Sequence, residues 1–152
     1  MKPLFALLVT LSLAVSCQLP FDQPSSPEPY ITRAQAELDG RGFTFFHVAS
    51  FGLLRDRQYL QNVRHGARVD DLPAQLAELL AAGAEQDTLV AMGGACSEKS
   101  RLILEQALEL LTTRSLPKLE LLFLGDARHG RAVAPKLHAL SARYKSVEIT
   151  ID

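Results

Sequence analysis

Hydrophobic residues along the chain alternate between strand-like and helix-like patterns. Four short apolar runs have the composition of buried or half-buried strands, and they cover residues 42–50, 88–92, 119–125 and 146–151. Between them lie segments with apolar residues at helical spacing, among them the stripe in 72–80 and the largely apolar stretch 102–111. Before the first strand, Thr32 and Gln35 have the spacing of a capping box and predict the start of a further helix.

Proline and glycine positions indicate where these helices begin and end. Pro135 would remove a backbone hydrogen bond deep inside a helix, so the last helix is predicted to begin within 131–134 and to end near Tyr144. Capping residues and glycines mark the other helices, which are predicted over 56–65, from Asp71 to Gly83, and from Ser97 onward.

Strands that alternate with helices predict a parallel sheet covered on both faces. We therefore expect an α/β three-layer sandwich with about four mainly parallel strands and helices on both faces. The connections should be right-handed, and we take 2-1-3-4 as the expected strand order. A single domain over 31–152 can bury a sizeable core without a metal or a disulfide.

Residues 1–16 have the pattern of a secretory signal peptide. Lys2 precedes an uncharged run of 12 residues, 4–15, which is shorter than the ~20 residues of a membrane-spanning helix. The segment that ends at Cys17 resembles the lipobox of bacterial lipoproteins, with Ala14 where leucine is usual. An ordinary signal peptidase could cut the same bond after Ser16.

The lipoprotein resemblance implies where in the cell the mature chain is located. It implies that Cys17 is acylated, and that the chain is sorted to the outer membrane, because Gln18 stands where aspartate often signals retention in the inner membrane. The protein would then lie at the periplasmic face of that membrane, held by its lipid anchor and secreted through its signal peptide.

Four prolines fall within the next segment, residues 17–30, and they favour an extended chain. We expect this segment to be a tether that can be removed up to Tyr30 at little cost in stability.

The composition and net charge of the chain indicate which classes of binding partner to expect. Apolar residues make up 47% of the 152 residues, charged residues 22%, and the net charge is −1. These values are typical of a globular domain and give no reason to expect binding to nucleic acid. The expected partners are the membrane, through the lipid anchor, and an envelope protein or cell-wall component. The basic stretch within 55–68 could face anionic head groups or cell-wall carboxylates, or form a solvated helix face.

Reactive side chains cluster in the loops that follow the strands, where open parallel sheets bind ligands. Cys96 follows the second strand and precedes a helix, whose amides can lower a thiol pKa. Cys96 is thus a candidate nucleophile, with His129 as the base and Asp126 as the residue that orients it. The alternative is a buried, inert cysteine, which we expect.

Two further interpretations concern the same loops. The spacing from Cys96 to Arg101 resembles the active loop of rhodaneses and would imply sulfurtransferase activity, although Lys99 replaces the usual glycine. A binder of anions or small ligands would use glycines, a hydroxyl and cations in these loops, namely Gly93, Gly94, Ser97, Arg101 and Arg128.

No metal site or cofactor is expected, because the histidines lack zinc-ligand spacing. The leading hypothesis is a non-enzymatic interaction or assembly module of the envelope. A thiol-dependent enzyme using Cys96, either sulfurtransferase-like or hydrolytic, and a ligand binder are the alternatives.

Overall fold

A computed structural model describes residues 24–150, so the predicted signal peptide and Cys17 lie outside the described part of the chain. Helices and strands follow one another as α1 (Glu28–Glu37), β1 (Thr44–His47), α2 (Leu53–Arg64), α3 (Leu72–Ala81), β2 (Thr88–Gly93), α4 (Ser97–Glu109), β3 (Leu119–Gly125), α5 (Ala127–Ala139) and β4 (Arg143–Glu148). A short 3-10 turn, Ala82–Ala84, follows α3. Within 24–150 no helix is long and apolar enough to cross a membrane.

The four strands form one parallel sheet, which confirms the α/β class. Their order is β1-β2-β3-β4, so the expected order 2-1-3-4 is wrong. Each connection adds the next strand on the same side of the previous one, and the register pairs Phe45 with Ala91, Ala91 with Leu122, and Leu122 with Lys145.

This strand order explains how the helices are distributed over the two faces. When crossovers of one hand always advance in one direction, the connecting helices lie on the same face of the sheet. Apolar residues of α2 to α5 accordingly share one large core with side chains such as Val90, Met92 and Phe123. Among residues 24–150, α1 is the helix that covers the opposite face, where Tyr30, Ala34 and the C-cap residue Leu38 pack on the sheet.

The first helix begins earlier than the capping box predicts. It starts at Glu28, with Pro27 at the N-cap position, so Thr32 and Gln35 lie inside the helix. Tyr30 is only 3% exposed and belongs to the core of the α1 face. The predicted boundary at residue 31 thus falls inside α1, and we now expect removal of residues up to Tyr30 to destabilise the domain, because it would take a buried aromatic ring from the core.

The last helix and strand also begin earlier than predicted. Asp126 caps α5 by accepting a hydrogen bond from the Arg128 backbone N–H at 2.8 Å, and Pro135 lies inside the helix. Pro135 leaves the carbonyl of Arg131 without its helical partner, but both residues are exposed and water can satisfy that oxygen. Because α5 ends at Ala139, β4 begins at Arg143 rather than at residue 146.

Candidate functional site

The loops that leave β1, β2 and β3 meet at the carboxyl end of the sheet, and glycines allow this close approach. A Cβ on Gly94 would overlap the carbonyl oxygen of Val48, and one on Gly93 would lie 2.7 Å from the carbonyl oxygen of Leu124. Both glycines are buried, and the absence of a side chain lets the loops pack closely.

Cys96 lies at the N-cap position of α4 and faces α2. It lines a cavity of about 620 Å³, which we call the α2 cavity, together with Ser50, Asp56, Arg57 and Arg64. Burial raises the pKa of the Cys96 thiol, and the hydrogen bond from the Lys99 backbone only partly opposes this. The helix start therefore does not make this thiol acidic.

A buried ion pair forms the floor of this region. Lys99 and Asp56, whose side chains are 6% and 7% exposed, are joined by a 3.3 Å contact between Nζ and Oδ1. Lys99 Nζ also donates to the carbonyl oxygen of Ala49 at 2.8 Å, and Ser50 Oγ donates to Asp56 Oδ2. The Lys99 ammonium lies 4.7 Å from the ring centre of Tyr59. One lysine thus connects α4, α2 and the loop after β1.

His129 and Asp126 approach the loop after β2 from the side opposite the α2 cavity, and both contact Ser97. His129 Nδ1 is 3.0 Å from Ser97 Oγ, which also accepts a hydrogen bond from the Asp126 backbone N–H at 2.8 Å. Desolvation lowers the pKa of His129, so its imidazole is neutral at pH 7 and can accept the Ser97 proton. The hydroxyl–imidazole pair in the structure is therefore Ser97 with His129, whereas Cys96 faces the α2 cavity.

A second cavity, of about 550 Å³, opens beside Ser97. Gly94, Ser97 and Asp126 line it, together with Tyr30 and residues at the end of β4. The Asp126 carboxylate accepts the capping hydrogen bond from the Arg128 backbone N–H at the start of α5. This bond is the main reason that the pKa of Asp126 is lowered. Asp126 therefore serves the helix start rather than the orientation of His129.

The two arginines proposed as anion ligands are engaged with carboxylates. Arg101 pairs with Glu105 at 2.8 Å and lies 3.9 Å from Glu98. The exposed Arg128 lies 3.7 Å from Asp126. An anion at either position would have to compete with these carboxylates.

The structure also bears on the rhodanese resemblance. Residues from Ser97 to Arg101 form the first turns of α4 rather than an open loop. The backbone of these residues follows the course of the helix, and the Lys99 side chain is directed to Asp56. The chain thus has the rhodanese spacing from Cys96 to Arg101 but not the open loop that this spacing has in rhodaneses.

An apolar surface adjoins the α2 cavity at the start of α2. Leu53 and Leu54 are 75% and 79% exposed, and Phe51 is 38% exposed. Gly52, with φ of 100°, turns the chain between Phe51 and Leu53. We call Phe51, Leu53 and Leu54 the apolar tip.

Sequence reasoning missed the Lys99–Asp56 pair, although the pattern contains a signal for it. Lys99 lies on the same helical stripe as Ile103 and Ala107, and Asp56 shares a stripe with Tyr59. Opposite charges on the apolar stripes of two neighbouring helices indicate a buried pair. The sequence indicates Ser97 as a helix cap and as an anion ligand, but it does not show that Ser97 meets His129.

Comparisons of the chain with protein-family models, with curated proteins and with solved structures find no match.

Proposed function

We propose that this chain is a non-enzymatic interaction module of the bacterial envelope, a lipoprotein anchored by acylated Cys17 at the periplasmic face of the outer membrane. The signal-peptide pattern and the lipobox resemblance support this location. The module engages its partner through the apolar tip.

The exposure of the apolar tip carries this proposal. Three large apolar side chains lie within four positions at one end of the molecule, and two of them are more than 70% exposed. Single exposed leucines are common on proteins, but a contiguous group marks an interaction surface. The raised pKa of Cys96 makes a thiol-dependent activity the weaker alternative.

A partner that binds the apolar tip should shield it from reagents in the cell, and this shielding can be measured. A Leu53→Cys variant in a Cys96→Ala background presents a thiol at the tip, and a water-soluble maleimide reports its accessibility. Leu110→Cys is the matched control, because Leu110, the residue that follows α4, is 62% exposed and lies outside the tip. Position 53 should react several-fold more slowly in intact cells than in the purified protein, while position 110 should react at similar rates in both. Equal rates at position 53 would exclude the tip as an interaction surface.

A hydrolase centred on Ser97 is the second candidate, favoured by the 3.0 Å contact with neutral His129. Ser97 Oγ would attack an ester carbonyl while its proton passes to His129, which would then protonate the leaving alcohol. Water would hydrolyse the acyl-serine. A fluorophosphonate reagent that labels the wild type but not Ser97→Ala would favour this enzyme; a wild type that stays unlabelled would favour the interaction module.

A further inference from the structure

The position of the chain just before α1 determines which end of the domain faces an N-terminal anchor. Ser25 and Ser50 are joined by two hydrogen bonds, from Ser25 N to Ser50 O at 2.9 Å and from Ser50 N to Ser25 Oγ at 3.0 Å. Ser50 lies in the loop after β1, three positions before Leu53. The N-terminal segment therefore reaches the domain at the carboxyl end of the sheet, beside the apolar tip.

The length of the tether limits how far this end can lie from the membrane. The eight residues 17–24 can span at most about 28 Å. A domain of this size has a radius of gyration of about 14 Å and is about 36 Å across. If Cys17 carries the anchor, the tether is thus shorter than the domain, and it holds the carboxyl end of the sheet toward the lipid.

Charge around the tip complements an anionic surface. Two carboxylates of this region are already paired with cations, Asp56 with Lys99 in a buried contact and Glu98 with Arg64 at the surface. Arg57 is exposed on the first turns of α2. The charge displayed beside the exposed leucines is therefore positive, the combination by which interfacial helices bind anionic lipid.

We propose that the apolar tip docks into the surface of the anionic membrane that carries the anchor, with Leu53 and Leu54 among the acyl chains and Arg57 at the phosphates. This inference rests on the proposed function, because it requires the anchor and names the occupant of the interaction surface. The lipid layer fits the observations better than a protein partner does, because the tether alone brings this surface to it.

Tryptophan fluorescence tests the docking directly, because the chain contains no tryptophan. Leu53→Trp places a single fluorophore at the tip, and Leu110→Trp, at the C-terminal end of α4, is the matched control. The full lipidated protein is reconstituted in vesicles of phosphatidylethanolamine and phosphatidylglycerol, part of which carry bromine on their acyl chains. The fluorescence of the Leu53→Trp variant should be quenched several-fold more strongly than that of the control. The Arg57→Gln change should shift the docked population about fivefold toward the undocked one.

Equal, weak quenching in the two variants would overturn the docking inference. If position 53 is covered in cells but not quenched on these vesicles, the occupant is a protein or cell-wall component, and the docking inference fails while the proposed function stands. Maleimide reaction at position 53 that is equally fast in cells and in solution would contradict the proposed function itself.

Discussion

Replacing Lys99 by methionine tests the buried pair that connects α4 with α2. The substitution keeps the length of the side chain but removes the ammonium that contacts Asp56 and donates to Ala49. Both charged side chains are less than a tenth exposed, so Asp56 would become a buried carboxylate without its cation. Removal of one partner of such a pair costs about 3–5 kcal/mol of the free energy of unfolding, equivalent here to a fall in Tm of about 10–20 °C.

Urea unfolding of the Lys99→Met protein measures this cost. The midpoint should fall while the slope of the free energy against urea stays unchanged. Arg68→Met is the matched control, because Arg68 pairs with Asp71 at 3.1 Å but both side chains are 76% exposed, and its loss should cost about 0–1 kcal/mol.

A second substitution separates the charge effect from the loss of packing. The double variant Lys99→Met, Asp56→Asn also removes the buried negative charge. The side-chain amide oxygen introduced at position 56 can still accept a hydrogen bond from Ser50 Oγ. The double variant should therefore recover at least about 1 kcal/mol relative to Lys99→Met. The reasoning would be refuted if Lys99→Met cost no more than the Arg68→Met control.

Three further predictions follow from packing and from a pKa. Tyr30→Ala should reduce the free energy of unfolding by about 3–5 kcal/mol, because the ring is buried against the sheet, and an unchanged urea midpoint would show that the start of α1 adds nothing to the core. Gly94→Ala should cost at least about 1–3 kcal/mol because its methyl group would overlap the Val48 carbonyl, whereas Gly42→Ala meets open space and should be nearly neutral in the same melt. The raised pKa of Cys96 means that less thiolate is present at pH 7 than in a free cysteine, so its reaction with a disulfide reagent should be slow and should still accelerate above about pH 8.5. Fast labelling of Cys96 at pH 7 would favour the thiol enzyme instead.

The central elements of the fold were predictable from the sequence because their signals agree with one another. Both β2 and β3 are predominantly apolar, and α4 begins at the predicted Ser97. The errors fall where local signals compete with tertiary packing. The burial of Tyr30 starts α1 inside the proline-rich segment, and Pro135 is tolerated because the carbonyl that it leaves unpaired is exposed.

The topology of the sheet and the pairings of the site depend on contacts between distant residues. Strand order follows from the side on which each crossover adds the next strand, and the hydrophobic pattern contains no information about that side. The sequence did place Cys96, Asp126 and His129 at the correct end of the sheet. It could not show that Ser97 rather than Cys96 contacts His129.

The anchor at Cys17 is the assumption on which the proposed function and the docking inference both depend, and intact-mass spectrometry tests it most directly. The full chain is expressed with its own leader, extracted from the membrane fraction and weighed. We predict the mass of a chain that begins at Cys17 and carries acyl groups, and a Cys17→Ala variant that loses the membrane association. A wild-type chain without acyl groups, found in the soluble periplasmic fraction, would contradict the account.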